Sequence, residues 1–315
     1  MSDDKKLNLP AIKKHGPVGT PKQNRVQPLN LSQKLAVSKA INSPNKVQVE
    51  IARREQGLDL VLAGDLTTSM TEYHKLLKEK FSMLCEDLFP MVKNLKIGIV
   101  FYLDHDSGLP YLTRTHKLSQ NITELQNFIK ETPVLHSGNT TEDEAVEDAF
   151  HDIVGMNWRE IGNRSVVLFG DARAHEPGAC PKQHDYFDLA QRMYGNKIFV
   201  NSVFCGEGNL SAEALQKLAN IDVGDFSKRV SNLDHPNFFS WIANVTGGMI
   251  IGVEQIDDLI EIIKAAAAKD SGNLDEYEKS LKLRASAKLN LVNIAKQADR
   301  RRIASQKTDL LEKKP

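Results

Sequence analysis

The stretch Leu58-Asp59-Leu60-Val61-Leu62-Ala63-Gly64, followed at once by Asp65-Leu66-Thr67-Thr68-Ser69, decides the fold of this chain. Its first part is almost entirely apolar, which is typical of a strand buried on both faces. The polar residues come next and run into a helical pattern, so they lie at the carboxyl tip of that strand. One carboxylate and two hydroxyls, from Asp65, Thr67 and Ser69, would therefore meet at a single strand end. Mg²⁺ and Mn²⁺ prefer oxygen donors of this kind.

Short apolar runs alternate with amphipathic helical stretches from this strand onward. Strands are predicted at Leu58–Gly64, Leu95–Leu103, Tyr111–Leu118, Ser165–Phe169, Lys197–Phe204 and Met249–Val253. Helices are predicted at Thr71–Asn94, Thr123–Thr132, Glu142–Val154, Asp185–Tyr194, Ser211–Asn220, Asn237–Val245 and Ile256–Lys269. The alternation predicts an α/β fold with a doubly wound, mostly parallel six-stranded sheet and helices on both faces.

The two ends of the chain differ from its centre in charge and composition. Residues 1–56 hold 11 basic and 4 acidic side chains, residues 57–269 hold 19 and 30, and residues 270–315 hold 11 and 7. We predict a disordered basic tail over residues 1–50, a folded domain over 57–267, a basic C-terminal helix over 272–305 and a disordered end over 306–315. Nucleic acid is the weaker choice of partner for the basic ends, because the C-terminal segment lacks aromatic platforms for bases.

Other features of the sequence bear on compartment and reaction class. No apolar run is long enough to cross a membrane, and the N-terminus lacks the apolar segment of a secretory signal. The 3 cysteines form no CxxC pair, which favours a reducing compartment. We therefore expect a cytoplasmic protein. The chain has no Gly-x-Ser-x-Gly elbow, Walker A loop or HExxH motif, so we expect no enzyme.

Polar residues from separate segments should converge on one rim of the sheet. Asp65 follows the first strand and Asp171 follows the Ser165–Phe169 strand, and the carboxyl ends of parallel strands share an edge. The loop 136–141 brings Thr140 toward the same edge. The hydroxyl residues have an alternative role, since Thr67, Thr68 or Ser69 could cap the following helix. Thr141 could likewise cap the next helix in a capping box with Glu144.

Over roughly residues 57–267, the chain resembles a von Willebrand factor A domain with a metal-ion-dependent adhesion site. Its motifs are most similar to the subgroup found with atypical alpha-type kinases, although no kinase domain is present. The stretches that carry the likeness are Asp65-Leu66-Thr67-Thr68-Ser69, Tyr102-Leu103-Asp104-His105, Ser137-Gly138-Asn139-Thr140, Glu144-Ala145-Val146, Trp158-Arg159, Gly170-Asp171-Ala172-Arg173-Ala174-His175 and Cys180-Pro181-Lys182-Gln183-His184-Asp185.

The resemblance implies a ligand set and a function. Asp65, Thr67, Ser69, Thr140 and Asp171 would hold Mg²⁺ or Mn²⁺, and a partner protein would offer an Asp or Glu to the ion. Where the subgroup has Pro-Pro, this chain has Arg173-Ala174. The added positive charge of Arg173, with His175 nearby, is expected to contact the partner.

Two other functions remain open for the same residues. The domain could be a regulatory adaptor subunit of an ATPase, chelatase or kinase complex. It could instead be a metal-dependent phosphoryl-transfer or hydrolytic enzyme.

His175, Cys180, His184 and Asp185 also raise the question of zinc. Their spacing is looser than that of most structural zinc sites. We favour a packed loop in which His175 donates an internal hydrogen bond. Asp104-His105-Asp106, just past a strand end, is expected to form a solvated turn.

Overall fold

A computed structural model describes residues 55–105, 108–135, 142–206, 221–253, 256–284 and 288–311. Three predictions fall outside these ranges: the disordered tail at 1–50, the placement of Thr140, and the helix at Ser211–Asn220.

The sheet has the predicted doubly wound character. Its strands are β1 (Leu58–Asp65), β2 (Lys96–Tyr102), β3 (Thr113–Ser119), β4 (Asn163–Gly170), β5 (Ile198–Phe204) and β6 (Ile250–Gly252). The 6 strands lie in the order β3-β2-β1-β4-β5-β6, which reverses at β1. Among the described strands, only the edge strand β3 runs antiparallel, against β2. The six-stranded, mostly parallel sheet is thus confirmed.

Helices connect these strands and extend beyond the last one. They are α1 (Thr71–Met91), α2 (Ile122–Glu131), α3 (Val146–Gly155), α4 (Tyr186–Gly195), α5 (His235–Thr246), α6 (Asp258–Ser271), α7 (Leu274–Arg284) and α8 (Leu289–Leu311). A short 3₁₀ turn, Thr68–Met70, joins β1 to α1. Among the described helices, none combines the length and the apolar character that a bilayer crossing demands.

Helices cover both faces of the sheet, as predicted. Along β1, Leu60 and Leu62 pack into the core that includes α1, α2 and α6. Val61 and Ala63 point to the opposite core, which is formed with α3, α4 and α5. This alternation follows from the period of two in a strand. Burial of both faces explains why β1 reads as a continuous apolar run.

The amino end of β1 is fixed by a buried ion pair. Arg159 Nε donates to Asp59 Oδ1 over 2.7 Å, and the Arg159 backbone N–H donates to Asp59 Oδ2 over 2.8 Å. The Asp59 side chain is fully buried and that of Arg159 is 12% exposed. The guanidinium also donates to the backbone carbonyls of Leu58 and Asn94. Arg159 therefore has a structural role, at the end of the sheet opposite the carboxyl ends of the parallel strands.

The start of α3 differs from the sequence prediction. The helix was expected from Glu142, but it begins at Val146. Glu144 is instead extended, and its backbone N–H donates to the carbonyl of Arg173 over 2.9 Å. A capping box that includes Glu144 is therefore wrong. Pairing with the loop after β4 outweighs the helical propensity of this segment.

The C-terminal segment also differs. The single helix expected over 272–305 is two helices, α7 and α8. The disordered end expected over 306–315 is wrong for residues 306–311, because α8 continues to Leu311, and residues 312–315 lie outside the described ranges. Both helices pack on α6, and Lys296 of α8 pairs with Glu278 of α7 at 2.5 Å. The break between α7 and α8 lets both helices bury apolar side chains against α6 and each other. The buried apolar side chains described in these helices are Tyr277, Leu281, Leu291, Val292, Ala295 and Ala298.

Candidate metal site at the strand ends

Asp65 and Asp171 meet at one edge of the sheet. Asp65 ends β1, and Asp171 follows β4, the parallel neighbour of β1. The close approach depends on Gly170. A Cβ atom there would lie 3.4 Å from Asp65 Cβ and 2.5 Å from the Tyr102 hydroxyl. We call Asp65, Thr67, Ser69 and Asp171 the strand-end site.

The Asp65 carboxyl group is buried but only partly satisfied. Its side chain is 1% exposed, and Oδ1 accepts the Thr67 backbone N–H over 2.7 Å. Oδ2 is buried without a hydrogen-bond partner. Burial, and then the negative charge of Asp171, raise the pKa of Asp65 from 3.8 to about 8. Two carboxyl groups that repel each other in a buried place are stabilised when a cation lies between them.

The hydroxyls of this loop are not used as helix caps. Thr67 is the N-cap of the 3₁₀ turn, but its side chain makes no capping hydrogen bond. Thr67 Oγ1 lies 3.2 Å from Ser69 Oγ. Thr67 is buried, whereas Ser69 is exposed. The alternative in which these side chains cap the helix therefore has no support, and both remain near Asp65.

Further residues at this edge respond to the carboxyl groups. Burial, and then the charge of Asp65, raise the pKa of the Tyr102 phenol well above 10. Burial, and then the charge of Asp171, raise the pKa of the Cys205 thiol. No motif in the sequence marks these two side chains as neighbours of the strand-end site. Their positions held the signal, because Tyr102 ends β2 and Cys205 follows β5 directly.

The described donors fit a small, hard divalent cation. They are carboxylate and hydroxyl oxygens, and one buried carboxylate oxygen has no other partner. Asp65, Thr67, Ser69 and Asp171 could hold such an ion together. Thr140 lies outside the described residues, so its membership in this set stays a prediction.

Arg173 and His175 are bound within the chain. Arg173 Nε and Nη2 donate to the two carboxylate oxygens of Asp143, over 2.8 and 3.2 Å. Its Nη1 donates to Glu176 over 2.5 Å. His175 is 6% exposed. The role of Arg173 and His175 in partner binding stays a prediction that these internal contacts do not support.

The internal hydrogen bond expected of His175 is confirmed. Its Nδ1 lies 3.1 Å from Glu147 Oε1, and its Nε2 lies 3.1 Å from Asp104 Oδ1. Burial lowers the pKa of His175, but hydrogen bonds to Asp104 and Glu147 outweigh it and raise the pKa to about 10. Asp104 is 4% exposed, so the expected solvated turn is wrong at this residue. The incoming loop after β4 covers Asp104, and no local pattern near residue 104 reveals this.

Among the other residues considered for zinc, Asp185 has a separate structural role. Asp185 caps α4 by accepting the Phe187 backbone N–H over 2.9 Å. Cys180 lies instead beside His105, whose Nε2 is 3.6 Å from its Sγ atom. Sequence reasoning missed His105 and the two carboxylates Glu147 and Asp148 that also lie there. The signal was their position, since His105 follows β2 and the two acids begin α3 at the same edge.

No protein-family model matches this chain, and no curated protein matches it in sequence. Solved structures with a similar backbone include a serine-substituted aerotolerance-related membrane protein from Bacteroides fragilis NCTC 9343, with 18% identity and TM-score 0.45, covering 68% of this chain and all of that one. The conserved hypothetical protein BatB from Bacteroides thetaiotaomicron has 16% identity and TM-score 0.43, covering 71% and 100%. The VWA domain of SpRpn10 has 13% identity and TM-score 0.43, covering 65% and 94%. The fold stated above rests on the sheet topology of this chain itself.

Proposed function

We propose that this chain is a cytoplasmic protein-binding module that uses a divalent cation at the strand-end site to bind an acidic side chain of a partner. The observation that carries the proposal is the buried Asp65 carboxyl group, which faces Asp171 and keeps one oxygen without a partner. The oxygen-only donor set favours Mg²⁺ or Mn²⁺.

The charge at the site supports binding of a carboxylate. Only two of the described donors, Asp65 and Asp171, carry negative charge, and Thr67 and Ser69 are neutral. A divalent ion held by so few charges stays electrophilic, so it offers its remaining coordination positions to a carboxylate from outside.

The exposure of the donors supports access from outside. Asp65 and Thr67 are buried, whereas Asp171 is half-buried and Ser69 is exposed. The site is therefore anchored in the sheet on one side and open to solvent on the other. A partner can approach over Ser69 without moving a strand.

The protein side of the site is pre-organised. Thr67 donates its backbone N–H to Asp65, and its hydroxyl lies 3.2 Å from Ser69 Oγ. These contacts lower the entropy lost when an ion and a partner bind.

Selection of acidic peptides in Mg²⁺ tests the proposal. A displayed peptide library is bound to the immobilised full chain in Mg²⁺ and eluted with a chelator. We expect the eluted peptides to be enriched in Asp or Glu at one fixed position, and amidation of that side chain should abolish binding. Isothermal titration of Mg²⁺ into the chelator-treated chain measures the ion itself.

The controls separate the site from its surroundings. Asp171→Ala and Ser69→Ala should lose both Mg²⁺ binding and peptide selection. Thr68→Ala alters the exposed neighbouring hydroxyl and should retain both. Equal selection with and without Mg²⁺, or retention in Asp171→Ala, would show that the proposal is wrong.

A further inference from the structure

A second group of metal-ligand side chains lies at the same edge of the sheet and is chemically different from the strand-end site. His105, Glu147, Asp148 and Cys180 each offer one ligand atom, and these atoms lie within 4.8 Å of one another. We call these residues the His-Cys cluster. They come from separate segments: the end of β2, the first turn of α3 and the loop between β4 and α4.

The distances within the cluster match a tetrahedral ion. His105 Nε2 lies 3.1 Å from Glu147 Oε1 and 2.9 Å from Asp148 Oδ2. Cys180 Sγ lies 3.6 Å from both His105 Nε2 and Asp148 Oδ2. Tetrahedral zinc has ligand edges of about 3.3 Å between nitrogen and oxygen and about 3.6 Å between sulfur and either, from its usual bond lengths.

Hydrogen bonds alone satisfy this cluster poorly. One ring nitrogen of His105 faces two carboxylate oxygens and a sulfur atom. A single N–H can point fully at only one of these acceptors. A cation among the four atoms would satisfy all of them together.

Asp148 provides an independent indication. Its side chain is 2% exposed, and Oδ1 has no hydrogen-bond partner. Two nitrogen atoms nevertheless lie 3.0 Å from Oδ1, Lys182 Nζ and His184 Nδ1. The buried His184 Nδ1 also has no hydrogen-bond partner. Lys182 supplies one positive charge to this buried carboxylate, but neither nitrogen has hydrogen-bond geometry toward Oδ1, so a bound cation would satisfy the carboxylate further.

The residues around the cluster orient its ligands. Glu147 accepts the His175 backbone N–H over 3.2 Å, and its Oε1 lies 3.1 Å from His175 Nδ1. His175 in turn contacts Asp104. Partners of this kind, which fix the direction of a ligand, are typical of metal sites in proteins.

From this geometry we infer that His105, Glu147, Asp148 and Cys180 bind one zinc-class transition metal ion, with His184 beside it. Imidazole and thiolate ligands favour Zn²⁺ over Mg²⁺, so the two sites select different ions. The ion would tie the loop after β4, which also carries Asp171, to β2 and α3. This inference does not depend on the proposed function.

Metal analysis of the untagged full chain tests the inference. The chain is stripped with a chelator, saturated with Mg²⁺ and then titrated with Zn²⁺ or Co²⁺. We expect one Zn²⁺ per chain by elemental analysis. Bound Co²⁺ should show a thiolate charge-transfer band and the strong visible absorption of a tetrahedral site. X-ray absorption of the zinc form should show one sulfur and otherwise nitrogen and oxygen neighbours.

Matched variants locate the ion. Cys180→Ser and His105→Gln should weaken Zn²⁺ binding by at least about 100-fold, and His175→Gln by about 10-fold to 100-fold. Cys205→Ser, which alters a thiol outside the cluster, should leave the cobalt charge-transfer band unchanged.

Three results would overturn the inference. These are the absence of stoichiometric zinc in the wild-type chain, a zinc spectrum without sulfur, and equal zinc affinity in Cys180→Ser. The wild-type spectrum decides the matter even if a variant fails to fold.

Discussion

Replacement of Asp65 by Asn should stabilise the metal-free chain and abolish its response to Mg²⁺. The Asp65 carboxyl group is 1% exposed and faces Asp171. Asn keeps the size of the side chain and an oxygen that can accept the Thr67 backbone N–H. Its amide N–H₂ can donate toward Asp171, where the wild type has a carboxylate oxygen without a partner.

The size of this change in stability follows from the pKa of Asp65, which burial and the charge of Asp171 raise from 3.8 to about 8. The folded state therefore retains the proton more strongly than the unfolded state. The contribution of the Asp65 carboxyl group to the free energy of unfolding is complete below pH 3.8 and is lost as the pH rises through about 8. At about pH 7 the loss is on the order of 4 kcal/mol. Asn does not titrate, so we expect the free energy of unfolding to rise by about 2–4 kcal/mol in chelator.

Urea unfolding at neutral pH, with chelator and with Mg²⁺, measures both effects. The wild type should gain about 2.7 kcal/mol when free Mg²⁺ is about 100 times its dissociation constant. The Asn variant should gain nothing. A variant less stable than the wild type in chelator would refute the electrostatic reasoning, and a wild type indifferent to Mg²⁺ would refute the metal site.

Three further predictions concern stability away from the two sites. Burial lowers the pKa of His74 from 6.5 to about 4, and its Nδ1 has no hydrogen-bond partner. The stability that the neutral His74 side chain contributes above pH 6.5 should therefore be lost as the pH falls toward 4. The loss should be about 2 kcal/mol in pH-dependent unfolding and absent in His74→Gln; an equal loss in that variant would assign it to other groups. Arg159→Ala leaves the buried carboxylate of Asp59 without its cation and should cost about 3–5 kcal/mol in urea unfolding; a cost below about 1 kcal/mol would contradict a buried pair. Gly248→Ala places a Cβ atom 1.9 Å from a backbone oxygen of β5 and should lower the free energy of unfolding by at least about 3 kcal/mol. Gly155→Ala is the control, because its Cβ atom would have no neighbour within 4 Å and should not lower the free energy of unfolding.

The close approach of Asp65 and Asp171 was predictable because it follows from the direction of the strands. Asp65 and Asp171 each follow an apolar strand, and parallel strands that pair bring their carboxyl ends together. The sequence alone therefore indicated that Asp65 and Asp171 lie at the same edge of the sheet. It did not indicate that Asp65 Oδ2 is buried without a partner, since this depends on the close approach allowed at Gly170.

The His-Cys cluster was not predictable in its true composition. The Cys-Pro-x-x-His-Asp stretch drew attention to Cys180 and His184, but their partners His105, Glu147 and Asp148 lie far away along the chain. Local spacing carries no information about contacts between distant loops. The same limit applies to Arg173, whose charge was visible but whose Asp143 and Glu176 partners were not.

By itself, the order of apolar runs determined the α/β class, the mostly parallel sheet and the edge at which Asp65 and Asp171 meet. Burial of both faces of β1 and the right-handed crossovers between parallel strands impose these features on almost any chain with this pattern. Only the tertiary structure decided which side chains meet across loops, and that the C-terminal segment folds back as α7 and α8 on α6. Those outcomes depend on contacts between residues distant in the chain, whose energies no local pattern encodes.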